Sequence, residues 1–304
     1  MRDEGMLRRV LSIIKATALE VLSEPLTLLV LLAALALTVL APAFHYHQFG
    51  DPTRMARDAG FSALFTCGSV VAVFCTIRAF RREVETGTME MALAHSVSRP
   101  AFFLAKTAGA LLAYLVFAAT VFGVSLAIFQ GSVVGGAIAR QTGDIARICG
   151  PYLAAGVAAV VVPLTLGAVL NRFAGCRFVL TAMAAAFVLS LADAGTVLWL
   201  SRLSALRLVP VAVLVVALAV PLLTAAAAFS IRMRAHAAAS AVGVVFLALL
   251  PAVGNYYLVN ALADGGTLSW GYVGLAAALM APAAAAFLLL GIHFINGRDI
   301  QWTT

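Results

Sequence analysis

Long apolar runs joined by short polar connections dominate the chain from residue 26 to residue 293. Stretches rich in Ala, Leu and Val fall at 26–43, 60–79, 105–129, 149–171, 178–199, 207–229, 236–259 and 271–293. A hydrocarbon core about 30 Å thick is crossed by about 20 helical residues at 1.5 Å each, so these runs have the length of membrane helices. They lack the in–out alternation of barrel strands. The pattern predicts an all-α, polytopic membrane protein of about eight transmembrane helices. The count ranges from six to eight with how the closely spaced pair at 178–229 is read.

The N-terminal residues carry a different period. Leu7, Val10, Leu11, Ile14, Ala18, Val21 and Leu22 share one helical face, while Arg8, Arg9, Lys15 and Glu20 lie away from its centre. An apolar stripe with basic flanks predicts an amphipathic helix lying in the membrane interface over 1–24. Pro25 then suits the first turn of a new helix. The chain divides accordingly into this interfacial helix and a transmembrane domain over 25–304, with a cytoplasmic segment at 80–104.

Composition supports the same picture: 63% of residues are hydrophobic and 11% charged, against roughly a quarter charged in soluble domains. A net charge of +7 raises nucleic acid as a partner, but the bases sit in small groups between apolar runs and form no continuous stripe, so none is expected. Their placement follows the positive-inside rule instead. Arg2, Arg8, Arg9, Lys15, Arg78, Arg81, Arg82, Arg99, Lys106, Arg172, Arg177, Arg232, Arg234 and Arg298, 14 of the 20, fall on one side. The expected setting is therefore the cell (inner) membrane, multi-pass, with both termini cytoplasmic. Cys67, Cys75, Cys149 and Cys176 contain no CxxC pair and give no zinc or disulfide framework.

The connection after the second run is the most informative part of the sequence. Residues 81–100 gather Glu83, Glu85 and Glu90, three of the 13 acids, with bases on either side. Thr88 is a candidate N-cap for a short helix carrying Met89, Met91, Ala92 and Leu93, too small to fold alone and suited to docking on another protein. Pro100 biases Arg99 away from helix and marks a boundary.

Here the chain resembles the ABC-2 type permeases, the membrane subunits of ABC transporters. Those subunits carry an elbow helix before the first span and, after the second, an E-x-x-x-G-T pattern, a leucine, a small residue and Pro, a Ser-Arg pair and a lysine opening the third span; Ser96 stands here where many of them have the proline. Glu83, Gly87, Thr88, Leu93, Ser98, Arg99 and Lys106 occupy the matching positions, and Phe294-Ile295-Asn296-Gly297-Arg298-Asp299-Ile300 is similar to the family's basic-Asp ending. The resemblance implies that Glu83, Glu85, Gly87, Thr88, Glu90, Leu93, Arg99 and Lys106 form a coupling segment that docks a separate ATPase. It also implies a homo- or heterodimer of permeases, and export driven by ATP and Mg bound on the partner. No cofactor is expected on this chain itself.

A Walker A loop needs Gly-Lys followed by Ser or Thr. The two lysines, Lys15 and Lys106, follow Ile14 and Ala105, so ATP hydrolysis is not expected here. Two other classes stay open. Asp193 lies inside an apolar run, where an ionised carboxylate costs roughly 2.5 to 3.5 kcal/mol at the bilayer centre, and would suit an ion- or proton-coupled carrier or channel. His45 and His47, two apart after the first run, are candidate metal ligands for a membrane-embedded enzyme or metal-linked assembly factor.

Overall fold

In a computed structural model the backbone is described for residues 2–40, 52–86, 97–142, 145–200, 207–253 and 268–297, and side chains for most of these. Nine helices occur among the described residues, and no strand. They are α1 (Arg2–Leu22), α2 (Pro25–Leu40), α3 (Pro52–Val70, continuing through a π turn at Val71–Cys75 into Thr76–Thr86), α4 (Arg99–Thr142), α5 (Ile145–Ala174), α6 (Phe178–Leu200), α7 (Val209–Arg232), α8 (Ala235–Val253) and α9 (Trp270–Asn296). Six are long and apolar enough to cross a membrane: α3, α4, α5, α6, α7 and α9. The protein is thus a polytopic helical membrane protein, as the apolar periodicity predicts. The helices α2 and α8 fall on the first and seventh predicted runs.

The elbow is a bend of 60° between α1 and α2. Pro25 opens α2 in its first turn. Thr27 fixes the corner, because its buried hydroxyl donates at 2.7 Å to the Val21 carbonyl, which also accepts from the Glu24 amide at 3.3 Å where α1 ends. A hydroxyl has one proton, so the thiol of Cys75, 3.2 Å away, donates to the Thr27 oxygen. That thiol sits at the end of the π turn in α3, and the elbow and the second span therefore interlock at one buried point. Single π turns inside α-helices are often functional.

Two spans form the centre. In α4 the side chains of Phe103, Lys106, Tyr114, Phe117 and Val121 are fully buried, and in α7 so are Ala225, Ala226, Ala227 and Ala228. The alanine run lets α9 approach α7 closely, as small residues do between membrane helices. The elbow helix lies on α4 at Gly109, where an added Cβ would stand 2.6 Å from the Ile14 carbonyl oxygen and 2.7 Å from Thr17 Cβ. Along α1, Thr17, Ala18 and Val21 face the bundle while Leu7 and Leu11 are exposed. Part of the predicted apolar stripe thus packs on protein and part is left for lipid. At the opposite ends of their spans, Trp199 and Trp270 are largely exposed, the position of an interfacial aromatic belt.

Candidate functional site

The acids and bases at the elbow end of the bundle form paired contacts. The stretch Arg54–Thr86 in α3 has 33 residues, about 50 Å, and outruns the hydrocarbon core by about 20 Å. That surplus length accommodates its charged last turns, bearing Arg78 to Glu85, outside the hydrocarbon. Helical spacing then sorts them onto separate faces. Arg78 reaches Glu24 at 3.4 Å, Arg82 reaches Glu20 at 3.6 Å, Glu83 meets Lys106, and Arg81 holds Glu85 at 2.7 Å. Arg81 also donates to the Met233 carbonyl at 3.4 Å, in the turn between α7 and α8.

Lys106 is the centre of this layer. It stands seven residues into α4, its side chain has no exposed surface, and its Nζ lies 2.5 Å from Glu83 Oε1. Phe80, one turn before Glu83, places its ring 5.5 Å from the same ammonium, close enough for cation–π attraction. Phe103, one turn before Lys106, packs against Phe80 with ring centroids 5.6 Å apart and planes tilted by 54°. Two i, i+3 pairs, Phe80 with Glu83 and Phe103 with Lys106, thus interdigitate across the α3–α4 contact. The ion pair is close but not aligned as a hydrogen bond, and Lys106 Nζ and Glu83 Oε2 have no hydrogen-bond partner among the described residues. Burying an ammonium is costly unless it is paired, so Glu83 is the group that allows Lys106 to be charged there.

Glu20 brings the elbow helix into the same field. Burial raises its carboxyl above the ordinary value of 4.5, and this outweighs the lowering by Lys106; Glu83 and Glu24 raise it further and Arg82 lowers it. Glu20 therefore lies in the field of the Lys106 ammonium that Glu83 pairs with, while its own ion-pair partner is Arg82.

Arg99 opens α4 and donates to the Asn296 carbonyl at 3.0 Å. Ser98 caps the same helix, its oxygen accepting from the Ala101 amide at 3.4 Å. The Ser-Arg pair and the last turn of α9, two stretches far apart in sequence, therefore meet. The end of α9 also lies on the same side of the bundle as the elbow and the charged end of α3.

Of the sequence-predicted site, Glu83, Glu85, Arg99 and Lys106 gather at this end. Gly87, Thr88, Glu90 and Leu93 lie outside the described residues, as do His45 and His47. Among the described residues no group of three metal-ligating side chains occurs. Asp193 stands apart in α6, half-buried, with no basic partner among the described residues. Sequence reasoning missed Glu20, Glu24, Arg78 and Arg82 as members of the layer. The i, i+4 spacing of Glu20 with Glu24 and of Arg78 with Arg82 was the available signal. Comparison with protein families, curated proteins and solved structures finds no match for this chain.

Proposed function

We propose that this protein is the membrane-spanning permease subunit of an ATP-driven ABC transporter, an exporter, coupled to a separate ATPase through the connection between α3 and α4. The observation that carries the reading is the Glu83–Lys106 pair. It ties the two flanks of that connection together, beside the elbow residue Glu20, at the end where α3 projects beyond the membrane. A push on the connection would reach α3, α4 and α1 together through this layer, and α9 through Arg99 and Asn296. Nucleotide-driven movement would then change which side a cavity between two permease copies opens to. ATP and Mg belong to the partner, and this chain holds no cofactor of its own.

In this reading the protein has about eight spans, α2 and α8 crossing with the other six, in the cell (inner) membrane. Its elbow end is cytoplasmic, with the N-terminus and C-terminus on that side. The test is transport by the assembled complex: Glu85→Arg and Gly87→Pro are expected to uncouple ATP hydrolysis from transport, and full transport in both variants overturns the reading.

One observation favours a second reading, an ion- or proton-coupled carrier or channel. Asp193 sits in an apolar helix about 9 Å along the axis from the exposed Trp199, without a basic partner among the described residues. Transport that persists without ATP and collapses in Asp193→Asn would select it.

A further inference from the structure

Two groups of basic residues at the elbow end of the bundle differ in character. All six glutamates of the chain lie between residues 4 and 90, and there Arg78, Arg81, Arg82 and Lys106 each have a carboxylate partner. The turn between α5 and α6, at the same end of the bundle, has none. No acid occurs between Asp144 and Asp193. Arg172, in the last turn of α5, and Arg177, just before α6, are exposed, with no acid in ion-pair range among the described residues.

The turn that carries them is fixed. Gly175 takes the left-handed conformation at φ 66° that ends α5, and the Asn171 side-chain amide donates to the Cys176 carbonyl at 2.6 Å. Two guanidiniums are thus held on one short connection with no internal counter-charge. Between them Phe173 is 85% exposed, and Leu166, Val169 and Leu170 continue an exposed apolar strip along α5 toward the membrane interior.

We propose that the α5–α6 turn is a binding site for an anionic phospholipid of the leaflet at the elbow end. The phosphate pairs with Arg172 and Arg177, and an acyl chain lies along Leu166, Val169, Leu170 and Phe173. A soluble anion would use the guanidiniums but leave the apolar strip bare. An acidic protein surface would leave Phe173 and the strip above it facing hydrocarbon without a share in the contact. A phospholipid satisfies both at once, because its charge and its chain meet at the depth where the turn ends the span. The site rests on the membrane-spanning character of α5 and α6 and is independent of the coupling to an ATPase.

The experiment is a titration of the full-length protein in phosphatidylcholine nanodiscs with phosphatidylglycerol, lipid occupancy being read by native mass spectrometry. Each neutralised base near an anionic leaflet weakens the attraction severalfold. Arg172→Gln with Arg177→Gln is therefore expected to weaken phosphatidylglycerol retention at least tenfold while leaving phosphatidylcholine retention unchanged. The double Lys variant is expected to keep most of it. Phe173→Ala, which keeps both charges, is expected to weaken retention severalfold. Equal retention of the two lipids by the native protein overturns the proposal, as does unchanged phosphatidylglycerol retention in the double Gln variant. Displacement of the lipid by equimolar glycerol phosphate also overturns it, since the apolar strip would then contribute nothing.

Discussion

The ammonium of Lys106 has no exposed surface and lies 2.5 Å from the Glu83 carboxylate, which reaches it from the preceding span. The contact fixes the charged end of α3 to the start of α4, on either side of the connection read as the docking segment. Removing one partner of such a pair leaves an uncompensated buried charge, while removing both leaves an apolar contact between Phe80 and Phe103.

Glu83→Ala is accordingly expected to destabilise the folded protein by about 3 kcal/mol. Lys106→Met is expected to cost less, because Glu83 retains a path to solvent, its side chain being 25% exposed. The double variant is expected to be more stable than Glu83→Ala alone. Thermal unfolding in a single detergent, analysed as a double-mutant cycle, measures the coupling; additive losses would mean that the two side chains act independently.

Glu20 sets a pH dependence of definite sign. Its carboxyl holds its proton more tightly in the folded protein than the ordinary value of 4.5, chiefly through burial. Charging it therefore weakens the folded state as pH rises from that value through the raised one, and the cost is fully present above both. Glu20→Gln removes the cost, so it is expected to stabilise the protein at neutral pH and to make no difference below about pH 4. Unfolding temperatures of the native and variant proteins across that range check the sign. A variant less stable than the native protein at pH 7 would show that the ion pair with Arg82 and the attraction of Lys106 outweigh burial.

Gly291 and Phe103 test the packing beneath the layer. A Cβ at Gly291 would overlap the tip of the Phe103 ring at Cζ, and that side chain is fully buried. Gly291→Ala is expected to cost about 1 to 3 kcal/mol, and Phe103→Leu in the same protein to restore part of it. Equal stability of Gly291→Ala and the native protein would refute the contact between α9 and α4.

The helical membrane architecture was legible in the sequence because burial in lipid demands unbroken apolar length, and length is visible residue by residue. The elbow was legible for the same reason: Leu7 to Leu22 keep a helical period up to Pro25. Less was visible at the site. Glu83 and Lys106 stood out through the pattern around them, but their contact depends on how α3 crosses α4, which no local period encodes. Glu20 looked like a polar residue on an interfacial helix, and its place in the layer comes from the close approach of α1 to Gly109. The π turn at Val71–Cys75 left no signal at all, since its residues are as apolar as the span around them.

The proposed function requires an ATPase carried on a partner chain. The most direct measurement is ATP-dependent coupling in the isolated complex: the protein is purified from its native membrane in mild detergent, and bound subunits, magnesium-dependent ATP hydrolysis and its response to Gly87→Pro are recorded. An ATPase retained in equal numbers with this protein, hydrolysing ATP, and lost or uncoupled in the variant is the expected result. A native protein that retains no ATPase and transports its cargo in membranes depleted of ATP would contradict it.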